Sequence, residues 1–246
     1  MNDAPEILFL ITARGGSKGL PGKNLKRIED VSLLGFKARS AQKCRYCTRL
    51  ILSTDSEEVQ EEGRTLGVEV PFTRPASLAT DEATSESVVA HAIEWIEQTE
   101  GRQYDAIMLL EPSSPFATAA HYTKAVNLYL RRSADLIVGL RELDTYPVFT
   151  GDVRGDGSIA HIVKAINGTS FTRRQDQPTQ VTMNGALYLI RWETFKTTGK
   201  IYSNPENCFG VVMDQWHSIE IETPEDLALA KWAVEKRCLD IAHWHP

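Results

Sequence analysis

Residues 7–24, ILFLITARGGSKGLPGKN, decide the fold. The first six form an apolar run of the length typical of a buried strand, and the next twelve contain four glycines. In an open α/β sheet, ligands bind beyond the carboxyl ends of the strands, and glycines let backbone N–H groups close on an anion. The stretch therefore predicts a first strand, residues 7–12, that ends in an anion-binding loop, residues 13–24.

The loop and the residues just after it are strongly basic. They carry no acid before Glu29, and their basic side chains are Arg14, Lys18, Lys23, Lys26 and Arg27. The whole chain has a formal net charge of −6, so the local positive charge indicates a specific anion site, for which we expect a triphosphate. The plain alternative is a glycine-rich turn with solvated lysines.

A P-loop does not fit this stretch. Its form is G-x-x-x-x-G-K-[ST]. Here the spacing from Gly16 to Gly22 is one residue too long, and Asn24 stands where Ser or Thr would bind magnesium. We therefore exclude a P-loop ATPase.

Short apolar runs alternate with helical patterns along the chain. Further strands are predicted at 50–53, 68–72, 106–110, 136–140, 186–191, 210–213 and 218–221, and helices at 85–98, at 121–130 and from Thr223 onward. This alternation predicts an α/β fold with a mostly parallel sheet covered on both faces. At 144–182, glycines and turn pairs interrupt the alternation of strands and helices, and we expect an antiparallel arm or insertion there. The whole chain, residues 1–246, is expected to form a single domain.

The composition argues against several classes of protein. The chain has 246 residues, is 42% hydrophobic and 24% charged, and its acidic balance argues against binding to nucleic acid or to an anionic membrane. It has no apolar run of membrane-spanning length and no basic leader, so we expect a cytoplasmic protein. Cys44 and Cys47 form a C-x-x-C pair without a second pair of ligands, which favours free thiols over a zinc or redox site.

Six parts of the sequence, in the same order, resemble one enzyme family. They are ARGGSKGLPGKN (13–24), STDSEE (53–58), RPASLATD (74–81), LEPSSP (110–115), RRQDQP (173–178) with NGA (184–186), and IEIETPEDL (219–227). The chain resembles the acylneuraminate cytidylyltransferases, which are the CMP-sialic acid synthetases and their legionaminate and pseudaminate relatives. The resemblance implies a Rossmann-like, three-layer α/β/α nucleotidyltransferase with a small dimerisation arm at 144–182.

The resemblance also implies a reaction. The anomeric hydroxyl of an acidic, sialic-acid-like nonulosonic sugar attacks the α-phosphorus of CTP, and pyrophosphate leaves in line. CTP is then a substrate, Mg²⁺ is the cofactor, and the expected partner is a second copy of the chain in a homodimer. Two alternatives stay open: a nucleotidyltransferase for another sugar or sugar phosphate, and a non-catalytic nucleotide-binding homologue.

At the nucleotide end of the site, the resemblance assigns the following roles. Arg14, Lys18 and Lys23 are the catalytic candidates, because they would neutralise the phosphates and the departing pyrophosphate. The nucleotide-binding candidates are Gly15, Gly16, Ser17, Asn24, Arg74 and Asp81. The glycine N–H groups are expected to fix the triphosphate, and Arg74 and Asp81 to line the base and ribose pocket.

The acceptor and metal candidates come from the later parts. The sugar-binding candidates are Glu111, Arg173, Arg174, Gln175 and Asn184, with a guanidinium expected on the sugar carboxylate. Glu220 and Glu222 are the metal candidates, because side chains at i and i+2 of a strand share one face and Mg²⁺ prefers oxygen ligands. A pair of solvent-facing glutamates is the alternative. Asp226 is expected to serve the N-terminus of the last helix and not a metal.

The chain departs from the family pattern at three of these positions. Glu111 replaces the usual Gln, and Glu220 and Glu222 replace Asp. Each longer side chain reaches roughly 1.5 Å farther, so the ion would shift or bind through water. A carboxylate at Glu111 would repel an acidic sugar unless it pairs with an arginine or is protonated, and it points to a sugar with an amino group or extra donors.

Overall fold

Strands and helices alternate through most of the chain in a computed structural model that describes residues 4–145, 147–168 and 179–245. The strands are β1 (Ile7–Thr12), β2 (Arg27–Ile28), β3 (Val31–Ser32), β4 (Cys47–Ser53), β5 (Ala106–Leu110), β6 (Leu136–Glu142), β7 (Val181–Arg191) and β8 (Cys208–Met213). The α-helices are α1 (Leu33–Gln42), α2 (Glu57–Thr65), α3 (Ser85–Glu100), α4 (Ala119–Arg132), α5 (Ala160–Asn167), α6 (Trp192–Thr198) and α7 (Pro224–Glu235). Short 3₁₀ helices lie at Lys23–Leu25, Ala76–Leu78, Pro147–Phe149, Pro205–Asn207 and Ala242–Trp244.

The central sheet has the strand order β4-β1-β5-β7-β6-β8. β1 is parallel to β4 and β5, and β6 is parallel to β8, whereas β7 is antiparallel to its neighbours β5 and β6. Glu142 pairs with Val181, and Leu136 pairs with Ile190. The chain between β6 and β7 therefore leaves and returns at the same end of the sheet, which makes β7 antiparallel to β6. The predicted α/β fold with a mostly parallel sheet is confirmed.

Local sequence patterns set several of these elements. β1 and β5 have the predicted bounds, and α3 and α4 extend the predicted helices by one turn or less at each end. α7 begins where expected, with Thr223 as its N-cap. Asp226 completes a capping box there, which confirms that this carboxylate serves the helix.

Two predicted strands are wrong. Residues 68–72 make only a single bridge to β4, because Pro71 has no N–H group with which to continue a ladder. Residues 218–221 lie off the sheet, and the Ile221 N–H donates to the Ser113 carbonyl (2.7 Å) in the loop after β5. That hydrogen bond holds the acidic segment against the carboxyl end of the sheet.

The described part of the arm at 144–182 includes two helical segments. It contains a 3₁₀ helix (Pro147–Phe149) and α5, whose side chains are all at least partly exposed. Among the described residues of the arm, the expected antiparallel arrangement is present only at its base, where β6 pairs with β7. Large apolar side chains remain exposed on the arm, among them Phe149, Val153 and Val163.

Apolar layers cover both faces of the sheet. On one face, α1, α2 and α4 contribute Leu34, Val59 and Tyr122 to the core. On the other, α3 contributes Val89 and the start of α6 contributes Trp192. This arrangement is the three-layer α/β/α architecture that the resemblance implies.

A third apolar cluster supports the edge where the strands end. It packs Leu20 of the glycine-rich loop and Ile221 of the acidic segment around Phe116 and Trp244. Trp244 is fully buried, and its Nε1 donates to Ser40 Oγ (2.6 Å) in α1. The same apolar cluster therefore anchors both the basic loop and the acidic segment.

The four cysteines are free thiols. Cys44 is buried, with its Sγ 3.8 Å from Thr123 Oγ. Within the described ranges, the group of three or more His, Cys, Asp or Glu side chains close enough to share a metal ion is Glu29, Asp30 and His245, which contains no cysteine. No helix in those ranges has both the length and the hydrophobicity of a membrane span.

We expect Trp244→Ala to lower the free energy of unfolding by about 3–5 kcal/mol, because the change leaves a cavity in the third cluster. Urea unfolding measures this. The matched control is Trp232→Ala, at a side chain that is 46% exposed, for which a loss of about 1 kcal/mol or less is expected. Equal losses in the two variants would contradict the role given to the third cluster.

Candidate active site

A cavity of about 420 Å³ opens beyond the carboxyl ends of β1 and β5. Four segments line it: 12–24, 74–88, 111–113 and 220–222. This is the edge of the sheet at which open α/β folds bind their ligands. The sequence-predicted site residues that it brings together are Arg14, Gly16, Ser17, Lys18, Lys23, Asn24, Arg74, Asp81, Glu111, Glu220 and Glu222.

The glycine-rich loop folds back on the end of β1. Asn24 is buried, and its Nδ2 donates to the Arg14 carbonyl (2.8 Å), which closes the loop. The Gly15 N–H donates to Asp55 Oδ1 (2.8 Å), and Gly15 does not line the cavity. These two groups therefore shape the loop in this structure, and Gly16 and Ser17 are among the loop residues that face the cavity.

Gly19 allows the loop to touch the acidic segment. A Cβ at this position would stand 2.5 Å from the Glu222 carbonyl oxygen, which is too close for any side chain. Lys23 adds an ion pair to the same contact, with Nζ 2.6 Å from Glu222 Oε1. Both walls of the cavity therefore meet at Glu222.

Asp81 holds two of the catalytic candidates. Arg14 pairs with one oxygen of Asp81 (2.7 Å) and donates to the Thr80 carbonyl (2.8 Å). Lys18 reaches the other oxygen (2.5 Å). The hydrogen bond from Lys18, with that from Arg14, lowers the pKa of Asp81, so this carboxylate is ionised at neutral pH. In this structure Asp81 therefore binds two cations of the basic loop. The resemblance instead implies that it lines the pocket for the base and ribose of CTP.

Arg74 is buried behind this wall. Its Nε donates to Ser53 Oγ (3.0 Å) at the end of β4. Burial lowers its pKa to about 10, against the attraction of Asp55. Arg74 therefore supports the end of β4 and presents only part of its surface to the cavity.

The N-terminus of α3 borders the cavity, a feature that sequence analysis missed. Thr84 caps the helix by accepting a hydrogen bond from the Ser87 N–H (3.2 Å), and Thr84 and Ser85 both line the cavity. A helix N-terminus favours phosphate through its partial positive charge and its free N–H groups. The signal was available, because Thr-Ser-Glu-Ser before an apolar helical pattern is typical of a capped helix.

The opposite wall carries carboxylates. A Cβ on Gly185 would stand 3.2 Å from Glu220 Oε1 and 3.9 Å from Glu111 Oε2, so these two side chains approach the same point of backbone. Burial raises the pKa of Glu111, and burial together with the charge of Glu222 raises the pKa of Glu220. Crowded carboxylates are the oxygen donors that Mg²⁺ prefers, so this wall fits a divalent cation.

Of the remaining acceptor candidates, Asn184 is the one within the described residues, and it does not line the cavity. Asn184 is buried beside it: Nδ2 donates to Ser218 Oγ (2.9 Å), and Oδ1 accepts from the Ala186 N–H (3.1 Å). Its amide is engaged with the protein, contrary to the expectation that it binds sugar hydroxyls. The candidates that lie outside the described residues are Arg173, Arg174 and Gln175.

Lys37 of α1 lies beneath the acidic wall, and sequence analysis missed it. Its side chain is fully buried, and Nζ donates to the Ala186 carbonyl (2.6 Å). Burial lowers its pKa to about 7, against the attraction of Glu111. The available signal is a lysine on the apolar face of a helix, four residues after Leu33 and three after Leu34.

Comparison with known proteins agrees with this geometry. A family model described as "Cytidylyltransferase" matches residues 8–183, which include the basic loop and Glu111. The chain belongs to the cytidylyltransferase family. The protein is therefore an enzyme of the nucleotidyltransferase class.

Relatives of this cytidylyltransferase span nearly all of its length. Post-translational flagellin modification protein B of Campylobacter coli is 27% identical over 234 residues, covering 95% of this chain and 97% of that protein. CMP-N,N'-diacetyllegionaminic acid synthase of Campylobacter jejuni is 25% identical over 235 residues, with the same coverage of 95% and 97%. The resemblance to the acylneuraminate cytidylyltransferases and their legionaminate relatives is confirmed.

A solved structure supports the fold of the cytidylyltransferase. CMP:2-keto-3-deoxy-manno-octonic acid synthetase complexed with CTP matches with a TM-score of 0.68 at 14% identity. The match covers 94% of this chain and 99% of that one. The two chains therefore share an architecture over almost their whole length.

We expect Asp81→Asn to lower the Kd for CTP by roughly two- to fivefold at low salt, because the change frees Arg14 and Lys18 from a competing ion pair. Isothermal titration calorimetry measures the Kd. The matched control is Asp152→Asn, at an exposed carboxylate outside the cavity, for which no change is expected. Weaker CTP binding in Asp81→Asn would instead support the contact with base or ribose that the resemblance implies.

Proposed function

We propose that this cytidylyltransferase transfers CMP from CTP to the anomeric hydroxyl of an acidic nonulosonic sugar and releases pyrophosphate. The observation that carries the proposal is one cavity with cations on one wall and carboxylates on the other. The side chains that form this arrangement are Arg14, Lys18, Lys23, Glu220 and Glu222. The acceptor class comes from the relatives, whose names include a legionaminic acid synthase.

The basic wall would bind the triphosphate. Gly16 and Ser17 would face its oxygens, and the positive end of α3 would lie across the cavity. Arg14 and Lys18 would exchange Asp81 for phosphate, and the guanidinium fork of Arg14 suits two phosphate oxygens at once. These contacts would position the α-phosphorus for in-line attack, which is most of what a phosphoryl or nucleotidyl transfer requires of a protein.

Lys23 would serve the leaving group. Only 13% of its side chain is exposed, so its charge is poorly screened by solvent. Its Nζ already lies beside the acidic segment, 2.6 Å from Glu222 Oε1. From this position the ammonium would stabilise negative charge as it develops on the departing pyrophosphate.

Glu220 and Glu222 would hold Mg²⁺. Both line the cavity, and the pKa of Glu220 is raised first by burial and then by the charge of Glu222, a repulsion that a cation would relieve. When bound, the ion would neutralise charge on the phosphate oxygens. Segment 220–222 lies at the cavity wall and not within the sheet. The longer Glu side chains that replace Asp there are therefore not held in the register of a strand.

The acceptor would bind at the Glu111 end of the cavity. Ser85 Oγ donates to Glu111 Oε1 (3.3 Å), so a hydroxyl and a carboxylate stand together there. For the sugar carboxylate, the proposed partners on the basis of the resemblance are Arg173, Arg174 and Gln175. Because Glu111 departs from the family pattern, an enzyme acting on another sugar or sugar phosphate is the second candidate.

The homodimer and the cytoplasmic location remain predictions. The exposed apolar side chains of the arm, such as Val153 and Val163, support the dimer. Several apolar side chains exposed together on one segment are typical of a surface that a partner chain buries. The arm at 144–182 would then act in dimerisation, at the sugar end of the site, or in both.

Pyrophosphate release from a panel of acceptors tests the proposed function. Purified protein is mixed with Mg²⁺, CTP and N-acetylneuraminic acid, N,N'-diacetyllegionaminic acid or pseudaminic acid. We expect release with at least one sugar, dependence on the metal, and at least tenfold less release with ATP, GTP or UTP. No release with any sugar, or stabilisation by a purine nucleotide alone in a thermal-shift assay, would contradict the proposal.

The metal assignment has its own test. In Glu220→Gln and Glu222→Gln, we expect the Mg²⁺ concentration for half-maximal turnover to rise roughly tenfold or more, because each change removes one charged oxygen ligand. The control is Glu225→Gln, at an exposed glutamate in the first turn of α7. An unchanged metal dependence in both variants would place the ion elsewhere.

A further inference from the structure

Glu111 creates an electrostatic problem for an acidic acceptor. It lines the cavity, and Glu220 places a second carboxylate close to it. Two uncompensated negative charges would repel a sugar that carries its own carboxylate. Lys23 also attracts both glutamates, but its Nζ is ion-paired with Glu222 (2.6 Å).

Lys37 approaches Glu111 from beneath the cavity. Its Nζ donates to the Ala186 carbonyl (2.6 Å). The preceding residue, Gly185, has a left-handed φ of 64°, and a Cβ there would stand 3.9 Å from Glu111 Oε2. One short piece of backbone therefore contacts the ammonium through Ala186 and approaches the carboxylate at Gly185.

A buried lysine that keeps its charge needs a counter-charge. The Lys37 side chain has no exposed surface, and an ammonium carries three donors. In the described part of the chain one hydrogen bond is recorded for it, to Ala186. Glu111 is the carboxylate whose charge attracts it, and Lys37 in turn favours the ionised form of Glu111. The attraction between the two charges partly offsets the desolvation of both groups.

We propose that Lys37 is the counter-charge of Glu111 and makes the acceptor end of the cavity selective for a sugar that presents an N–H donor there. Lys37 touches no substrate and acts through Glu111, so it is a positioning residue. The pair has no net charge, and it offers a carboxylate oxygen as a strong acceptor without repelling the carboxylate of the sugar. The N–H of an acylamino group is the donor that fits. The inference rests on the proposed function, because it describes the acceptor that the same site would select.

A double-mutant cycle tests this inference. The variants are Lys37→Met, Glu111→Gln and the double variant, with Lys231→Met as the control at an exposed lysine. Urea unfolding gives the stability of each. Steady-state kinetics give KM for CTP and for the sugar that the wild type uses, either N,N'-diacetyllegionaminic acid or N-acetylneuraminic acid. As a probe without acylamino groups, 2-keto-3-deoxy-manno-octonic acid is measured in parallel.

In Lys37→Met we expect KM for the acidic sugar to rise roughly tenfold or more, with KM for CTP within about twofold, because Glu111 is left uncompensated. Adding Glu111→Gln should restore both the stability and the acceptor KM to within about threefold. In the double variant, the preference for the acylamino sugar over the probe should be smaller than in the wild type by about fivefold or more, because the carboxylate is gone.

Other results would overturn the inference. A loss of stability in Lys37→Met that Glu111→Gln does not restore, or equal changes in KM for CTP and for the acceptor, would make Lys37 merely structural. An unchanged preference in the double variant would remove the selectivity. If the wild type uses no sugar, the proposed function fails separately, and the unfolding cycle alone decides: additive losses from the two substitutions would refute the pairing.

Discussion

The contact of Gly19 with the Glu222 backbone is the constraint on which the site depends. It brings a loop of basic residues against a segment of acidic ones, and a side chain at Gly19 would force the two apart. The same third apolar cluster anchors both, through Leu20 on one side and Ile221 on the other. Packing beneath the cavity therefore sets the distance between opposite charges within it, which no surface ion pair could do alone.

The cavity balances its charges internally. Asp81 pairs with two cations of the loop, Lys23 pairs with Glu222, and in our proposal Lys37 offsets the charge of Glu111 from beneath. In the proposed reaction, a nucleotide that enters would exchange one set of ion pairs for another, so the gain in binding would come from better geometry and not from bare attraction. This arrangement suits an enzyme that must hold an anionic nucleotide and an anionic acceptor together and then release two anionic products.

The sequence could predict what local patterns determine. The apolar run of β1, the glycine-rich loop and the Thr223 cap of α7 are each set within a few residues, and all were predictable. The roles of Asn184 and Lys37 were not, because they depend on partners 34 and 149 residues away. The same holds for Asp81, whose pairing with Arg14 joins two loops that only the folded sheet brings together. The confirmed predictions concern features that neighbouring residues determine, and the missed roles are those that depend on contacts between residues far apart in the sequence.

A crystal structure of the protein soaked with CTP and Mg²⁺ tests the central claim most directly. The account predicts triphosphate density along Gly16 and Ser17, Arg14 and Lys18 turned from Asp81 to phosphate oxygens, and an ion within about 2.1 Å of an oxygen of Glu220 or Glu222. A nucleotide bound elsewhere, with the Asp81 ion pairs intact and no ion at the two glutamates, would contradict it.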